Sequence, residues 1–186
     1  MALFPMFVNL KNQKVLVVGG GIVALRKIEK LIPFEPDLKV ISLKFNHETE
    51  KIIKQYKIPY EKRPFNFNDL NGVKIVIVAV DNIDLQKKIF EFTRNKNILV
   101  NSVDSPEYCD FIFPAYVKKG DIVIGITTSG TVPGLSARIR KHIENNLPED
   151  IEYILSQLKH IRKSLPKGKD RQRKIIELIN KLFPKN

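Results

Sequence analysis

Three closely spaced small residues near the start of the chain have the types and spacing of a phosphate-binding loop. The pattern is Gly19-x-Gly21-x-x-Ala24, and it follows the apolar run Lys14–Val18. In such a pattern the first glycine permits a tight turn out of a strand, and the second lets a pyrophosphate approach the backbone. The small third residue lets the following helix pack closely, and that helix presents free N–H groups to the phosphates. The residues therefore predict a dinucleotide-binding loop, with a purely structural glycine turn as the alternative.

The acidic residue that usually follows the second strand of such a fold is missing. About 20 residues beyond the glycines, where an Asp or Glu would bind the ribose 2′-hydroxyl of NAD, the chain has Ser42, Leu43 and Lys44. Lys44 could instead meet the 2′-phosphate of NADP. The residues alone leave the choice between NAD and NADP open.

A carboxylate stands two residues beyond the predicted strand Ile98–Ser102. This is Asp104, followed by Ser105 and Pro106. Ligands of open α/β sheets bind beyond the carboxyl ends of the strands, so Asp104 could act as a general base toward a bound substrate. The alternative is a turn residue that precedes a Ser-Pro pair.

The elements that must position these residues alternate between strand and helix. Apolar runs predict buried strands, and apolar residues at helical spacing predict the helices between them. The expected strands are Lys14–Val18, Leu38–Ser42, Ile58–Glu61, Val73–Val80 and Ile98–Ser102, and the expected helices begin after Gly21, at His47 and near Asp84. This alternation predicts an α/β fold, a Rossmann-type parallel sheet domain over residues 1–110.

The pattern changes after residue 110. Two apolar runs, Phe111–Val117 and Asp121–Thr127, flank Lys118-Lys119-Gly120 and predict a hairpin, which is followed by a helix over Gly134–Asn146. We assign residues 111–147 to a dimerisation region, because the apolar hairpin would be too exposed on one subunit. Two amphipathic helices, about Glu149–Lys163 and Asp170–Phe183, then form a small helical domain over residues 148–186.

Composition excludes several classes of protein. The 186 residues are 43% hydrophobic and contain a single cysteine, Cys109, which excludes an intrachain disulfide framework and a cysteine-based zinc site. The three histidines do not have metal-ligand spacing, so no preformed metal site is expected. No apolar run is long enough to span a bilayer, and no signal peptide is recognisable, so a cytoplasmic protein without membrane contact is expected.

Four sequence segments resemble the precorrin-2 dehydrogenase family, which includes the dehydrogenase–ferrochelatase portion of siroheme synthase. The segments are LFPMFVNL (3–10), VVGGGIVALRK (17–27), NSVDSPEYCDFIFPA (101–115) and SGTVPGLSARIRKHIE (129–144). They occur in the family's order, whereas the last 40 residues match only as a helical tail. Two departures affect the loop after the fourth strand: Val80-Asp81 replaces a frequent Thr-Asp, and Gln86 replaces a frequent Asn.

The resemblance implies NAD-dependent oxidation of precorrin-2 to sirohydrochlorin by a homodimer. Asp104 aligns with the family's catalytic aspartate, and Ile22, Val23, Leu43 and Lys44 align with its NAD contacts beside Gly19 and Gly21. Thr128 and Ser129 fall where bacterial siroheme synthases have a regulatory, phosphorylatable serine, and we expect both near the substrate. A second activity as a ferrochelatase would need only a base, for which Asp104 is the candidate.

The charge of the chain agrees with a polyanionic substrate. The net charge is +12, and residues 138–186 alone hold 13 basic and 6 acidic residues. Precorrin-2 carries eight carboxylates, so Arg138 and Lys141, three residues apart on one helix face, are candidate contacts, with a solvated or interface face as the alternative. The alternative function is a non-catalytic dinucleotide sensor whose basic tail binds nucleic acid, although this tail lacks a helix-turn-helix pattern and interleaved aromatic residues.

Overall fold

Five short segments between residues 14 and 102 form the strands of one parallel sheet. The computed structural model describes residues 3–182. These residues belong to two compact units, one ending at Ile112 and the other beginning at Phe113. The expected domain boundaries at residues 110 and 147 stay predictions.

The first unit has the alternating order that the sequence predicts. Its elements are β1 (Lys14–Val18), α1 (Ile22–Leu31), β2 (Asp37–Ser42), α2 (His47–Gln55), β3 (Tyr60–Lys62), β4 (Ile75–Val78), α3 (Ile83–Thr93) and β5 (Leu99–Ser102). The strands lie in the order β3-β2-β1-β4-β5, and every neighbouring pair is parallel. The predicted Rossmann-type sheet is therefore confirmed.

The register of the sheet places the strand ends that matter at one edge. Val18 at the end of β1 lies opposite Ile41 of β2 and Val78 of β4, and Val78 lies opposite Ser102 of β5. Because parallel strands point the same way, the loops that follow β1, β2, β4 and β5 all leave from this carboxyl edge. These loops carry the glycines, Lys44, Val80 and Asp104.

Apolar side chains on both faces hold the central strands in place. All four residues of β4 and the last four of β1 are buried, and Ala24 and Ile28 of α1 are fully buried against the sheet. Burying a Val or Ile side chain completely stabilises a fold by about 1.5–3 kcal/mol. The core is therefore continuous beneath the carboxyl edge, which makes that edge a rigid platform for the loops.

The second unit consists of a hairpin and three helices. It contains β6 (Ala115–Lys119), β7 (Ile122–Ile126), α4 (Pro133–Asn146), α5 (Ile151–Ser164) and α6 (Lys169–Leu182). The predicted hairpin is present, and Gly120 has the expected positive φ of 55°. The prediction that the last helix reaches Phe183 lies outside the described residues.

The first strand of the hairpin is displaced along the chain from its predicted position. It was expected over Phe111–Val117, but β6 begins at Ala115 and runs through Lys119, which pairs with Ile122. Two contacts explain the late start: the backbone N–H of Asp110 donates to Val100 of β5, and the carbonyl of Phe111 accepts from Asn101. These residues are thus bonded to the parallel sheet and cannot belong to the hairpin.

Among residues 3–182, no helix is long and apolar enough to cross a membrane.

Candidate functional site

The turn from β1 into α1 contains two glycines that the fold itself requires. A Cβ on Gly19, whose φ is +125°, would stand 2.1 Å from the carbonyl oxygen of Ala79, just beyond β4. A Cβ on Gly20 would stand 2.4 Å from the carbonyl oxygen of Lys44. Both positions therefore need glycine for close approach of backbone to backbone. The need at Gly20, which the fingerprint leaves unspecified, was missed from the sequence.

Gly21 differs from the other two, because a Cβ there would meet no atom of the described residues within 4 Å. It is the N-cap of α1, no side chain caps this helix end, and the first turn of the helix contains no acidic residue. The first N–H groups of α1 can therefore donate to a phosphate placed over Gly21. The open space above Gly21 and the uncapped helix fit the dinucleotide that the fingerprint predicts.

The loop after β2 lies directly against the glycine loop. The backbone N–H of Asn46 donates to the carbonyl of Gly20 at 2.8 Å, and the Ser42 hydroxyl donates to the carbonyl of Lys44 at 2.7 Å. Leu43 and Lys44 are both exposed. The structure therefore brings the predicted cofactor residues of two distant segments together, and no acidic side chain stands at the position that selects NAD.

Asp104 follows the end of β5 in a left-handed backbone conformation with φ of 61°. The residue before it is fixed to the sheet, since the N–H of Val103 donates to Val78 at 2.9 Å. The residue after it, Ser105, is buried, and Pro106–Tyr108 form a short 3-10 turn. Asp104 itself is exposed, so its carboxylate projects from a held backbone at the same edge of the sheet as the glycine loop.

The chain returns along β5 immediately after this turn and closes the Asp104 loop. Asp110 accepts from the N–H of Val100 at 2.8 Å and receives two bonds of 2.7 Å from the guanidinium of Arg94. Burial opposes ionisation of Asp110, but the bonds from Arg94 and Val100 outweigh it and hold the pKa of this carboxyl below its ordinary value. The guanidinium also stacks 3.7 Å from the ring centroid of Phe90.

Cys109 helps to fasten the same return segment. Its thiol donates to the carbonyl of Ser102 at 3.0 Å and accepts from the N–H of that residue at 3.2 Å. Burial raises the pKa of Cys109, against the smaller opposing effects of the Ser102 bond and Lys27. The thiol is therefore a packing and hydrogen-bonding group here, because nucleophilic cysteines need a lowered pKa.

The candidate substrate residues lie in the second unit, around the turn before α4. The Thr128 hydroxyl accepts from the N–H of Val132 at 3.2 Å and lies 3.2 Å from the hydroxyl of the buried Ser136. Ser129 is exposed and has a φ of 55°. Thr128 thus stabilises the turn, whereas Ser129 presents its hydroxyl to solvent.

The two candidate cations on α4 are exposed. Arg138 and Lys141 make no ion pair with any residue in the described part of the chain, whereas Arg140 between them pairs with Glu144 at 2.5 Å. Both free charges are therefore available to an anion.

The chain matches a family model described as "Putative NAD(P)-binding", which covers residues 6–115. The match includes the glycine loop and Asp104 and spans more than half of the chain. The chain belongs to this NAD(P)-binding family. Its fold is also that of a solved structure titled "SirC, precorrin-2 dehydrogenase", with a TM-score of 0.82 over 96% of this chain and 90% of that chain, at 23% sequence identity.

Curated relatives of this NAD(P)-binding protein are named siroheme synthase. The relative from Blochmanniella floridana is 35% identical over 156 residues, which are 84% of this chain and 34% of that protein. The relative from Vesicomyosocius okutanii is 37% identical over 80% of this chain and 32% of that protein. This chain thus spans about a third of the length of these relatives. The family resemblance seen in the motifs is confirmed.

Two further side chains lie near the NAD(P)-binding edge: Thr49 is outside every quoted motif, and Lys27 is the last residue of the segment 17–27. Thr49 of α2 is fully buried, and its hydroxyl donates to the carbonyl of Gly21 at 3.2 Å. Lys27 of α1 lies within electrostatic range of Asp104 and Cys109; burial, followed by repulsion from Lys30, lowers its pKa against the opposing effect of both groups. Thr49 could not be found from the fingerprint, because it is 28 residues away in the chain.

Proposed function

We propose that this chain is an NAD-dependent precorrin-2 dehydrogenase that forms sirohydrochlorin in siroheme biosynthesis. The observation that carries the proposal is the position of Asp104, which the β5 register and the Val103–Val78 hydrogen bond place at the same sheet edge as the open Gly21. The names of the relatives and of the structure with the same fold support this reaction. A dehydrogenase needs both a dinucleotide loop and a nearby proton acceptor, and this edge holds candidates for both.

The glycine loop would hold the cofactor through its backbone. The N–H groups at the start of α1 would donate to the pyrophosphate over Gly21, while Ile22 and Val23 on the first turn and the exposed Leu43 and Lys44 would line the adenosine side. When bound, NAD supplies a hydride acceptor, which the protein's own side chains lack. The residues after β2 do not distinguish NAD from NADP. We therefore assign NAD from the family resemblance.

Asp104 would remove the proton that accompanies hydride loss. Oxidation of precorrin-2 takes a hydride from one position of the macrocycle and a proton from another, and the hydride becomes part of NADH. The carboxylate of Asp104 accepts the proton and later returns it to solvent, which is possible because the side chain is exposed. Lys27 of α1 lies within electrostatic range of this carboxylate.

The eight carboxylates of the substrate would meet cations of the second unit. Arg138 and Lys141 are exposed on α4, and the Ser129 hydroxyl is exposed in the turn before it. Charge-assisted hydrogen bonds to carboxylates are stronger than neutral ones, and a basic surface also speeds the approach of a polyanion. Thr128 would contribute by stabilising the turn.

A homodimer is part of the proposal. Apolar side chains are exposed on α4, where Leu135 is 48% and Ile139 37% exposed, and in the extended segment near the start, where Phe7 is 72% exposed. Leu135 and Ile139 are four residues apart and share one face of α4, and an exposed apolar face is typical of surfaces that a partner covers. Light scattering coupled to size-exclusion chromatography tests this part directly: a monomer at micromolar concentration contradicts it.

The experiment that tests the proposed reaction is an anaerobic assay of precorrin-2 with NAD, followed as NADH formation. We expect turnover with NAD, and parallel reactions with NADP measure the cofactor preference. Salt-dependent binding of DNA without turnover would overturn the dehydrogenase and favour the nucleic-acid-binding sensor. The ferrochelatase activity stays a prediction, which metal insertion into sirohydrochlorin by the same preparation would test.

A further inference from the structure

A buried amide side chain links the loops that follow β4 and β5. Gln86 lies in the first half of α3 and is only 3% exposed. Its Nε2 donates to the carbonyl of Val80 at 2.8 Å and to the carbonyl of Val103 at 3.3 Å. Val80 is two residues beyond β4, and Val103 is the residue that immediately follows β5.

The chemistry of the partners fixes the orientation of this amide. Both neighbours are carbonyl oxygens, which only accept hydrogen bonds, so the NH₂ group and not the oxygen of Gln86 must face them. The Oε1 atom has no hydrogen-bond partner among residues 3–182. The side chain therefore uses both of its N–H donors, and each donor contacts a different loop.

The two loops have separate parts in the proposed reaction. Asp104 directly follows Val103, and the loop that begins at Ala79 stands against Gly19 of the cofactor loop. The N–H of Val103 is already bonded to Val78, and Gln86 holds the next peptide group, between Val103 and Asp104, through its carbonyl oxygen. Asp104 has a positive φ of 61°, a conformation in which Asp and Asn are enriched among non-glycine residues, and the hydrogen bonds of Val103 fix the peptide that precedes it.

We propose that Gln86 is a positioning residue that sets the location of the Asp104 carboxylate relative to the cofactor loop. This inference rests on the proposed function, since it concerns the same reaction. Gln86 contacts neither the cofactor nor the substrate. It acts through the carbonyls of Val80 and Val103. Because both carbonyls are bonded to one amide, the two loops keep a fixed position relative to each other.

The main variant is Gln86→Met, which keeps the unbranched length of the side chain and removes both donors. We expect kcat for precorrin-2 oxidation to fall about 10-fold or more, because small displacements of a reacting group are costly in rate. The KM for NAD should change by less than about 3-fold, since the glycine loop retains its own contacts. Unchanged kcat in a folded Gln86→Met variant overturns the inference.

Two further variants separate positioning from a general loss of stability. Thr93→Ser is the matched control: Thr93 is equally buried on α3, and its hydroxyl donates to the carbonyl of Phe90 and accepts from Arg94. Serine keeps both bonds and removes one buried methyl group, so it should lower thermal stability while kcat stays near the wild-type value. Gln86→Asn keeps the donors on a shorter side chain and should restore part of the rate. A kcat loss in Thr93→Ser equal to that of Gln86→Met would contradict a specific role.

A readout without turnover keeps this inference distinct from the proposed reaction. Amide hydrogen exchange of the whole protein should quicken in Gln86→Met at residues 79–82 and 103–105, with little change in Thr93→Ser. If wild-type protein shows no precorrin-2 oxidation but this exchange pattern appears, the proposed function fails while the link between the loops stands. If wild-type protein is active and neither exchange nor kcat responds to Gln86→Met, the positioning role fails alone.

Discussion

The carboxyl edge of the sheet and the turn before α4 place their polar residues by different means. At the edge, backbone hydrogen bonds to the strands fix the flanks of Asp104: Val103 bonds to Val78, and Asp110 bonds to Val100. Before α4, hydrogen bonds within the turn itself hold its shape, such as the one from the N–H of Val132 to the Thr128 hydroxyl, and Arg138 and Lys141 are exposed on the helix. The first arrangement suits a reaction that needs a fixed geometry. The second suits electrostatic binding to which several charges each contribute a part.

This difference predicts how each region responds to substitution. Substituting a residue that the backbone holds at one position should cause a large loss of activity, because no neighbouring residue can take its place. Exposed cations that share one anion should give small effects that salt reduces further. The following predictions test the contrast.

The largest effect is expected at Asp104. The change Asp104→Asn retains the shape of the side chain and removes the base, and Asn also tolerates a positive φ. We expect turnover of precorrin-2 to fall by at least about 10²-fold, the usual loss when a general base is removed. Steady-state kinetics, with NAD binding measured by calorimetry, provide the check. NAD affinity should stay nearly unchanged, and a variant with near-normal turnover would refute the assigned role.

The glycine loop offers a second test with its own control. Gly21→Val puts a branched side chain into space that is empty of protein atoms, so the fold should persist while NAD affinity falls by about 10-fold or more. Gly19→Ala should instead destabilise the protein, because its Cβ would collide with the carbonyl of Ala79. Calorimetric titration with NAD and thermal unfolding of both variants separate the two effects. Wild-type NAD affinity in folded Gly21→Val would make the loop purely structural.

The strands of the sheet could be predicted because the cause is local. Apolar runs such as Lys14–Val18 and Ile75–Val78 are buried on both faces, and a run of this kind has few alternatives to a central parallel strand. The positions of Gly19 and Asp104 at strand ends followed from the same pattern.

The contacts that complete the site could not be predicted in this way. Thr49, Gln86 and the Arg94–Asp110 pair act on residues between 6 and 28 positions away, and their roles depend on which loops the fold brings together. The start of β6 was misplaced for a related reason. Its predicted first residue, Phe111, is bonded to Asn101 in the parallel sheet, and apolar character alone cannot show such competition.

A smaller effect, which depends on pH, is expected on the stability of the protein when the Arg94–Asp110 pair is broken. Asp110→Asn removes the charge that accepts from Arg94 and Val100, so we expect a loss of about 1–3 kcal/mol in unfolding free energy at pH 7. The pKa of Asp110 is lowered in the folded state, so its contribution is present above the unfolded value of about 3.9 and disappears as pH falls through the folded value. The stability difference between wild type and variant should therefore shrink below about pH 4.

Urea unfolding followed by circular dichroism measures this difference, since the chain has no tryptophan. Glu91→Gln is the matched control, because Glu91 pairs with Lys87 at 3.9 Å with both side chains more than half exposed. Exposed pairs of this kind contribute about 0–1 kcal/mol. A cost for Asp110→Asn as small as that of the control, or one that does not decrease between pH 7 and pH 3, would show that the pair does not hold the Asp104 loop.

The smallest effect is expected from the exposed cations of α4. The double change Arg138→Ala and Lys141→Ala should raise the KM for precorrin-2 several-fold and leave the KM for NAD unaltered, because each exposed charge contributes little to binding a polyanion. Salt should mimic the substitution in wild-type protein and act less on the variant, since it screens charges that the variant has already lost. The charge-matched control is Arg162→Ala with Lys163→Ala, two exposed cations at the end of α5. If both double variants raise the KM equally, the effect comes from net charge alone. If wild type and the α4 variant respond equally to salt, Arg138 and Lys141 do not contact the substrate, and the region before α4 loses its proposed share in binding.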